Sequence, residues 1–193
     1  MSNRTALHII RDEHMAVAAV LRSLLMMIER GPEQEPDRFF DVLRAMLFYI
    51  DEFPEQKHHP KESDLLFPHV ARACPELMPV ISKLEEDHMR GEGQVRQLQH
   101  LLLAWELLGE SRREAFVTAA RQYVRFYLEH MRQEEMQILP AADQRLQGDE
   151  WAALNQAFEQ DRDPLAGGPR DPAFDKLFTR IVNIAPSPIG VGA

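Results

Sequence analysis

The chain of 193 residues has a single cysteine, Cys74, so it forms no internal disulfide, and a thiolate-rich structural zinc site is excluded. Basic residues are also short, with 22 Lys and Arg against 31 Asp and Glu. The resulting net charge of −9 excludes the electrostatic footprint of a nucleic-acid partner or an anionic membrane surface. No apolar run approaches the roughly 18 residues that a membrane span needs; even the greasiest stretch, Leu101 to Leu108, contains Glu106. No apolar segment precedes Arg11, Asp12 and Glu13, so nothing there reads as a secretion signal, and a reducing cytoplasm is the expected location. Strand signals are missing as well, because no segment alternates apolar and polar residues at period two.

What is present is helical periodicity. Leu7, Ile10, His14, Val17, Leu21, Leu24 and Ile28 recur at steps of three and four, the inward stripe of an amphipathic helix running to about Arg30. Gly31, Pro32 and Pro36 break it, and Asp37 is the expected N-cap of a second helix carrying Phe40, Leu43, Leu47 and Ile50. Pro54 and Pro60 predict a kink or short break between Phe53 and Pro60, with helix resuming through Leu65, Leu66 and Phe67. A third stripe, Leu84, His88, Gly91, Val95, Leu98, Leu102 and Trp105, stops near Gly109. Ser111 is placed to cap a fourth helix with Phe116, Ala120, Tyr123, Tyr127, His130 and Glu134 facing inward, ended or kinked by Pro140. The expectation is an all-α fold, an up-down-up-down antiparallel four-helix bundle over residues 1–147. Residues 148–193 form a C-terminal appendage of two short helices, Glu150 to Gln160 and Ala173 to Ile184, joined by a Gly/Pro-rich linker and followed by an irregular tail.

Three stripes carry a histidine where a leucine belongs: His14, His88 and His130. Taken singly, each reads as a core imidazole satisfied by hydrogen bonds. An internal repeat changes that reading. Asp12-Glu13-His14-Met15 recurs as Glu86-Asp87-His88-Met89, and His58-x-x-x-Glu62 before Leu66-Phe67-Pro68 recurs as His130-x-x-x-Glu134 before Ile138-Leu139-Pro140. His14 to His58 and His88 to His130 are separated by 44 and 42 residues, so two helical hairpins of one design make the bundle. Residues four apart share a helical face, and an imidazole and a carboxylate at that spacing converge on one ion or on two adjacent ions. Two such pairs with two lone histidines opposite describe a dinuclear site inside the bundle. Imidazole and carboxylate without thiolate suit iron, with manganese or zinc as lesser options. The set has more histidine and fewer carboxylates than ferritin-like di-iron bundles, which places it nearer a dioxygen binder than a ferroxidase.

The pattern H…HxxxE…H(xxxE)…HxxxE, with KHHPKESDLLFP and EHMRQEEMQILP as they stand here, resembles the hemerythrin-like HHE cation-binding family over residues from about 5 to 145. The resemblance implies a non-haem centre of two iron ions, oxo- or hydroxo-bridged. Its terminal ligands would be His14, His58, His88 and His130, and its bridging carboxylates Glu62 and Glu134. Oxygen-carrying hemerythrins have HxxxH on the third helix, whereas Glu92 stands here at the second position and is either an additional anionic ligand or a solvated helix residue. An added anion would favour the ferric state and oppose reversible oxygen carriage. The implied ligand is a small diatomic molecule or peroxide, bound for sensing, storage or stress protection. The alternative is an enzyme that repairs damaged iron centres or decomposes peroxide. A homodimer is compatible with either role.

Other residues carry weaker expectations. Glu135 reads as surface charge, because the repeat selects Glu134. His59 points about a quarter-turn away from His58 and is expected behind the ligands or in solvent. His8, His69 and His100 are expected at the surface. Tyr49, Tyr123 and Tyr127 read as core packing, with hydrogen bonds behind a ligand as their alternative. Met15, Met89 and Met131 read as core filling. Cys74 has no partner motif.

Overall fold

A computed structural model describes residues 5–32, 35–169, 172, 174–186 and 189. The first helix, α1 (Thr5–Arg30), buries Leu7, Ile10, His14, Val17, Leu21, Leu24 and Ile28, the stripe expected from the periodicity. It ends where Gly31 takes a φ of 75°, a left-handed conformation that favours glycine, and the Gly31 N–H closes on the Met27 carbonyl at 3.0 Å. Helix α2 (Pro36–Ile50) starts one residue before the expected cap. Pro36 occupies the first turn, where a missing N–H is harmless, and Asp37 faces the positive end of the helix dipole instead of capping it.

The kink or short break expected between Phe53 and Pro60 is a widening of a continuous helix. From Ile50 the rod continues as a π-helical stretch (Asp51–His58), a turn of α3 (His59–Lys61), a second π-helical stretch (Glu62–Leu66) and α4 (Phe67–Ala73). Each proline lacks an N–H, and its ring would strike the carbonyl four residues back; an i→i−5 turn makes room while keeping the rod continuous. The His59 N–H thus reaches the Pro54 carbonyl, and the Phe67 N–H the Glu62 carbonyl.

The third rod is α5 (Met78–Leu108), stopped by Gly109 at a φ of 83°. A short turn (Glu110–Arg112) contains Ser111, which caps nothing, and leads into α6 (Arg113–Gln133). The rod then widens at Glu134–Ile138 and ends as α7 (Leu139–Arg145), so Pro140 bends the ladder without ending it. Both copies of the repeat therefore place a five-residue π-helical stretch starting at the glutamate. Helices α8 (Gly148–Gln160) and α9 (Asp175–Ile184) follow, and no β-strand occurs among the described residues. No helix among them is long and apolar enough to cross a membrane.

Two apolar clusters stack along the bundle. One gathers Leu21, Leu24, Leu43, Leu47, Trp105, Phe116 and Tyr123, and the other Ile10, Leu66, Phe67, Leu84, Ile138 and Leu139. On every rod the histidines and glutamates of the repeat lie between a residue of the first cluster and one of the second, so a polar layer separates the two cores. The appendage has no core of its own. Trp151, Leu154 and Phe158 of α8 complete the second cluster, and Phe178, Ile181 and Ala185 the first. Asn155 Oδ1 accepts the Ala6 N–H at 2.8 Å, and the Ser23 hydroxyl donates to the Pro186 carbonyl at 2.8 Å, tying both ends of the appendage to α1. Residues 190–193 of the expected tail lie outside the described residues.

Two methionines depart from the core-filling expectation. Met15 and Met89 are 63% and 70% exposed, because a step of one residue rotates them away from the inward histidine, while Met131 is buried at 5%. Phe158→Ala should therefore destabilise the protein by about 3–5 kcal/mol in denaturant unfolding. Met15→Ala should stay within about 0.5 kcal/mol. An unchanged midpoint for Phe158→Ala would place α8 outside the core.

Candidate metal centre

The polar layer brings six of the seven proposed ligands together. Within each hairpin the HxxxE pair closes on itself, with His58 Nε2 at 3.1 Å from Glu62 Oε1 and His130 Nε2 at 3.2 Å from Glu134 Oε1. Each lone histidine faces the glutamate of the opposite hairpin: His14 Nε2 lies 3.4 Å from Glu134 Oε2, and His88 Nε2 3.5 Å from Glu62 Oε2. Glu62 thus turns one oxygen to the His14–His58 pair and the other to His88, while Glu134 turns one to His14 and the other to the His88–His130 pair. The imidazoles fall into two pairs, and each carboxylate spans both.

Behind the ligands the repeat continues in residues the spacing did not single out. Glu13 Oε2 accepts the His58 Nδ1–H at 2.6 Å, and its repeat equivalent, Asp87, stands 3.8 Å from His130 Nδ1. Glu135, which follows Glu134 in the chain, accepts from His14 Nδ1 at 3.0 Å. Ser63, which follows Glu62, stands 3.0 Å from His88 Nδ1 and donates its hydroxyl to Glu85 at 2.9 Å, so it must accept from the imidazole. These contacts hold the Nδ1 proton outward on His14, His58 and His88 and aim Nε2 at the centre. Glu135 is therefore not idle surface charge, although 44% of its side chain is exposed. The signal for these residues lay in the tetrapeptides flanking the histidines, where Glu13 and Asp87 recur with their neighbours.

The centre is strongly charged. Burial raises the Glu134 carboxyl, but His130, His14 and His88 outweigh it and hold its pKa well below the ordinary value. Burial likewise pushes His130 down, yet Glu134 and Asp87 carry its pKa up to about 10. Burial opposes the charge on His58 too, and Glu62 and Glu13 raise it well above the ordinary imidazole. Proximity does not amount to satisfaction. His14 Nε2, His58 Nε2 and all four carboxylate oxygens of Glu62 and Glu134 are buried without an aligned hydrogen-bond partner. Leaving one such group unpaired costs about 1–3 kcal/mol, and more for a charge. A bound cation coordinated by these atoms removes that cost at every one of them, so the donor set fits a metal.

His59, expected behind the ligands or in solvent, lies in the first of these two places. It is buried, stacked on His88 with ring centroids 4.0 Å apart, and one of its ring nitrogens lies within 4.8 Å of ligand atoms of Glu62, His88 and His130. His14, His58 and Glu62 form the matching group on the other side. The π-helical stretch before His59 rotates each residue by less than the α-helical step, so two consecutive histidines both face inward. Burial and the charged His88 and His130 push the His59 pKa well down, which keeps it neutral. Its Nδ1 bonds Glu55 at 3.0 Å and its Nε2 meets the Tyr127 hydroxyl at 2.8 Å, while the Tyr123 hydroxyl donates to Glu55 at 3.0 Å. Tyr49 hydrogen-bonds Asp163, so all three tyrosines combine packing with a polar contact.

The remaining candidates lie elsewhere. Glu92 pairs with Arg96 at 2.6 Å across one helical turn, its side chain 44% exposed, and stands outside both groups. His69 hydrogen-bonds Glu150 at 3.1 Å near the surface, and His8 and His100 are exposed. Cys74 is buried.

The profile of the Hemerythrin HHE cation binding domain matches residues 5–142, and the chain belongs to that family. A comparison with curated proteins gives no match. With the bundle and the buried histidine–glutamate groups, the family defines a metal-binding protein whose matched span ends before α8.

Glu134→Ala should abolish stable metal loading, whereas Glu135→Ala should weaken it by about tenfold, the lower end of what supports behind metal-bound histidines are worth. Glu92→Ala should leave metal content unchanged, and a loss there would place Glu92 among the ligands. The raised imidazoles of the metal-free protein must release protons to bind metal, so affinity should climb as pH rises through neutrality. The metal-free fold should respond oppositely. Its raised histidines contribute stability that is complete below the unfolded imidazole pKa and fades as pH climbs toward about 10 at His130, while the lowered Glu134 adds stability lost only in acid. Thermal unfolding with and without chelator across pH 5–9 checks both signs.

Proposed function

We propose that the protein carries a two-iron centre that binds dioxygen, nitric oxide or peroxide, in sensing, storage or stress protection. The observation that carries this reading is the division of the carboxylates: Glu62 and Glu134 each offer one oxygen to each pair of imidazoles. His14 and His58 would hold one ion, His88 and His130 the other, with both glutamates shared. Iron so held supplies one-electron redox change and an open position for a small ligand.

The chain's own residues set the size of that ligand. Beside His14, His58 and His59 lies a cavity of about 10 Å³, walled by Val17, Phe53, Met131 and the Tyr127 side chain. Its space is about that of one water, which limits any occupant to a very small molecule, the class to which diatomic gases and peroxide belong. Val17, Phe53 and Met131 limit the access of water to the histidines, and the Tyr127 hydroxyl meets His59 Nε2 at 2.8 Å.

A second reading, an enzyme that decomposes peroxide, is favoured by one feature. The hydrogen-bonded row of Glu55, His59 and Tyr127 joins an open cleft lined by Glu85 and Glu92 to the enclosed cavity, a path along which a proton can be passed.

Elemental analysis of protein from iron-replete cells should find about two irons per chain, since six converging ligands exceed what one ion accommodates with a position left free. A ratio near one, or a preference for zinc, would overturn the two-iron reading. Spectra of the reduced protein should change stoichiometrically on addition of oxygen, nitric oxide or peroxide. Repeated consumption of peroxide, slowed about tenfold by Tyr127→Phe as expected for one lost hydrogen bond, would favour the enzyme.

A further inference from the structure

We propose that Asp163, beyond the span matched by the family, is a positioning residue for the metal centre: its backbone N–H fixes Glu13, and Glu13 fixes the His58 imidazole. The proposal rests on the metal-binding reading of the site. Residues 161–169 link α8 to α9 and cross the bundle beside the His14–His58 pair. There the Asp163 N–H donates to Glu13 Oε1 at 2.9 Å, and Glu13 Oε2 accepts from His58 Nδ1 at 2.6 Å.

The link is built, not grazing. Asp163 is buried at 4%, and its carboxylate folds the linker so that its own N–H points at Glu13: Oδ1 accepts the Leu165 N–H at 2.8 Å, and Oδ2 accepts the Tyr49 hydroxyl. On either side, Lys61 Nζ donates to the Asp161 carbonyl at 3.1 Å, and Arg162 pairs with Asp12 at 2.9 Å. The turn closes through the Gly168 N–H on the Asp163 carbonyl at 2.9 Å, where a Cβ on Gly168 would sit 2.1 Å from the Arg162 carbonyl oxygen. Asp161 and Asp163 also wall the cavity beside His58.

The other half of the centre shows what the strap adds. Asp87 occupies the place of Glu13 in the repeat, but it is held by the half-exposed Lys83 and stands 3.8 Å from His130 Nδ1, beyond a hydrogen bond. Nothing from the appendage reaches it among the described contacts. The internal repeat would make the two halves alike; Asp163 makes the His14–His58 half the more firmly tied.

The test compares two substitutions in the full chain. Asp163 has a φ of −60°, which proline adopts, so Asp163→Pro deletes the N–H together with the carboxylate's bonds to Leu165 and Tyr49, while Asp163→Asn keeps the N–H and an acceptor oxygen. Iron(II) affinity by chelator competition should fall about tenfold in Asp163→Pro and stay within about twofold in Asp163→Asn. In a Glu13→Gln background the proline should add less than about twofold, because the route through Glu13 is already weakened. An equal loss in both backgrounds, or none in either, would overturn the proposal. A measurement on the unaltered protein covers a proline variant that does not fold. Metal loading should slow amide exchange at Asp163 by about tenfold, since coupling between the two sites is reciprocal. Exchange unchanged by loading would overturn the proposal, and an unaltered chain that takes up no metal would overturn the metal reading together with it.

Discussion

Two carboxylates in the middle of a helical bundle, with all four oxygens buried and none in an aligned hydrogen bond, are the constraint on which the rest of this structure depends. An isolated buried carboxylate is so unfavourable that it ordinarily takes up a proton. Here three imidazoles, His130, His14 and His88, keep Glu134 well below its ordinary pKa, so the charge stays and must be answered. The protein answers it with a layer of imidazoles one residue deep, bounded on both sides by apolar clusters. Those clusters hold the layer without neutralising it. Their packing fixes where the rods cross, and so fixes the distances between groups that repel as readily as they attract.

The rods meet this demand through their prolines. In each hairpin a proline six residues beyond the bridging glutamate forces an i→i−5 turn that begins at that glutamate. The widened turn swings Glu62 and Glu134 into the layer and lets the next residue, Ser63 or Glu135, reach the lone histidine of the opposite hairpin. Hairpin exchange is thus written twice, once in the bridging carboxylates and once in the contacts behind them. The result is an approximate twofold arrangement within one chain, in which neither hairpin can complete its half of the centre alone.

Much of this was legible in the sequence, for identifiable reasons. His14, His88 and His130 stood out because a 3.6-residue period exposes a polar residue among leucines, and Glu62 and Glu134 because the repeat marked them. The failures share one cause, the assumption of uniform helical rotation along a single rod. The π-helical stretch before His59 turns it further inward than α-helical steps predict, and the kink or short break expected between Phe53 and Pro60 is a continuous widened rod. Glu13 and Asp87 were quoted in the repeat but given no role, because their partners, His58 and His130, lie on the neighbouring rod. Met15 and Met89 were counted inward although one step from a buried histidine leads to solvent. Asp163 could not be seen at all, since its contact with Glu13 spans 150 residues and leaves no periodic trace.

The asymmetry laid over the repeat bears on chemistry. A symmetric pair of ions would share charge and ligand strength, and a small molecule would have no reason to choose between them. In this chain the small cavity touches His14, His58 and His59, while His59, with Glu55 and Tyr127 behind it, also stacks on His88. A firmer hydrogen bond at Nδ1 makes His58 the more basic imidazole, which would stabilise a higher charge on an ion held there. On the proposed two-iron reading, the half tied by Glu13 would therefore be the half better able to give up an electron. The other half has a fifth imidazole stacked on His88 at 4.0 Å and borders the open cleft. Two ions held in this layer would thus be unequal because of these neighbours, without any difference between Glu62 and Glu134.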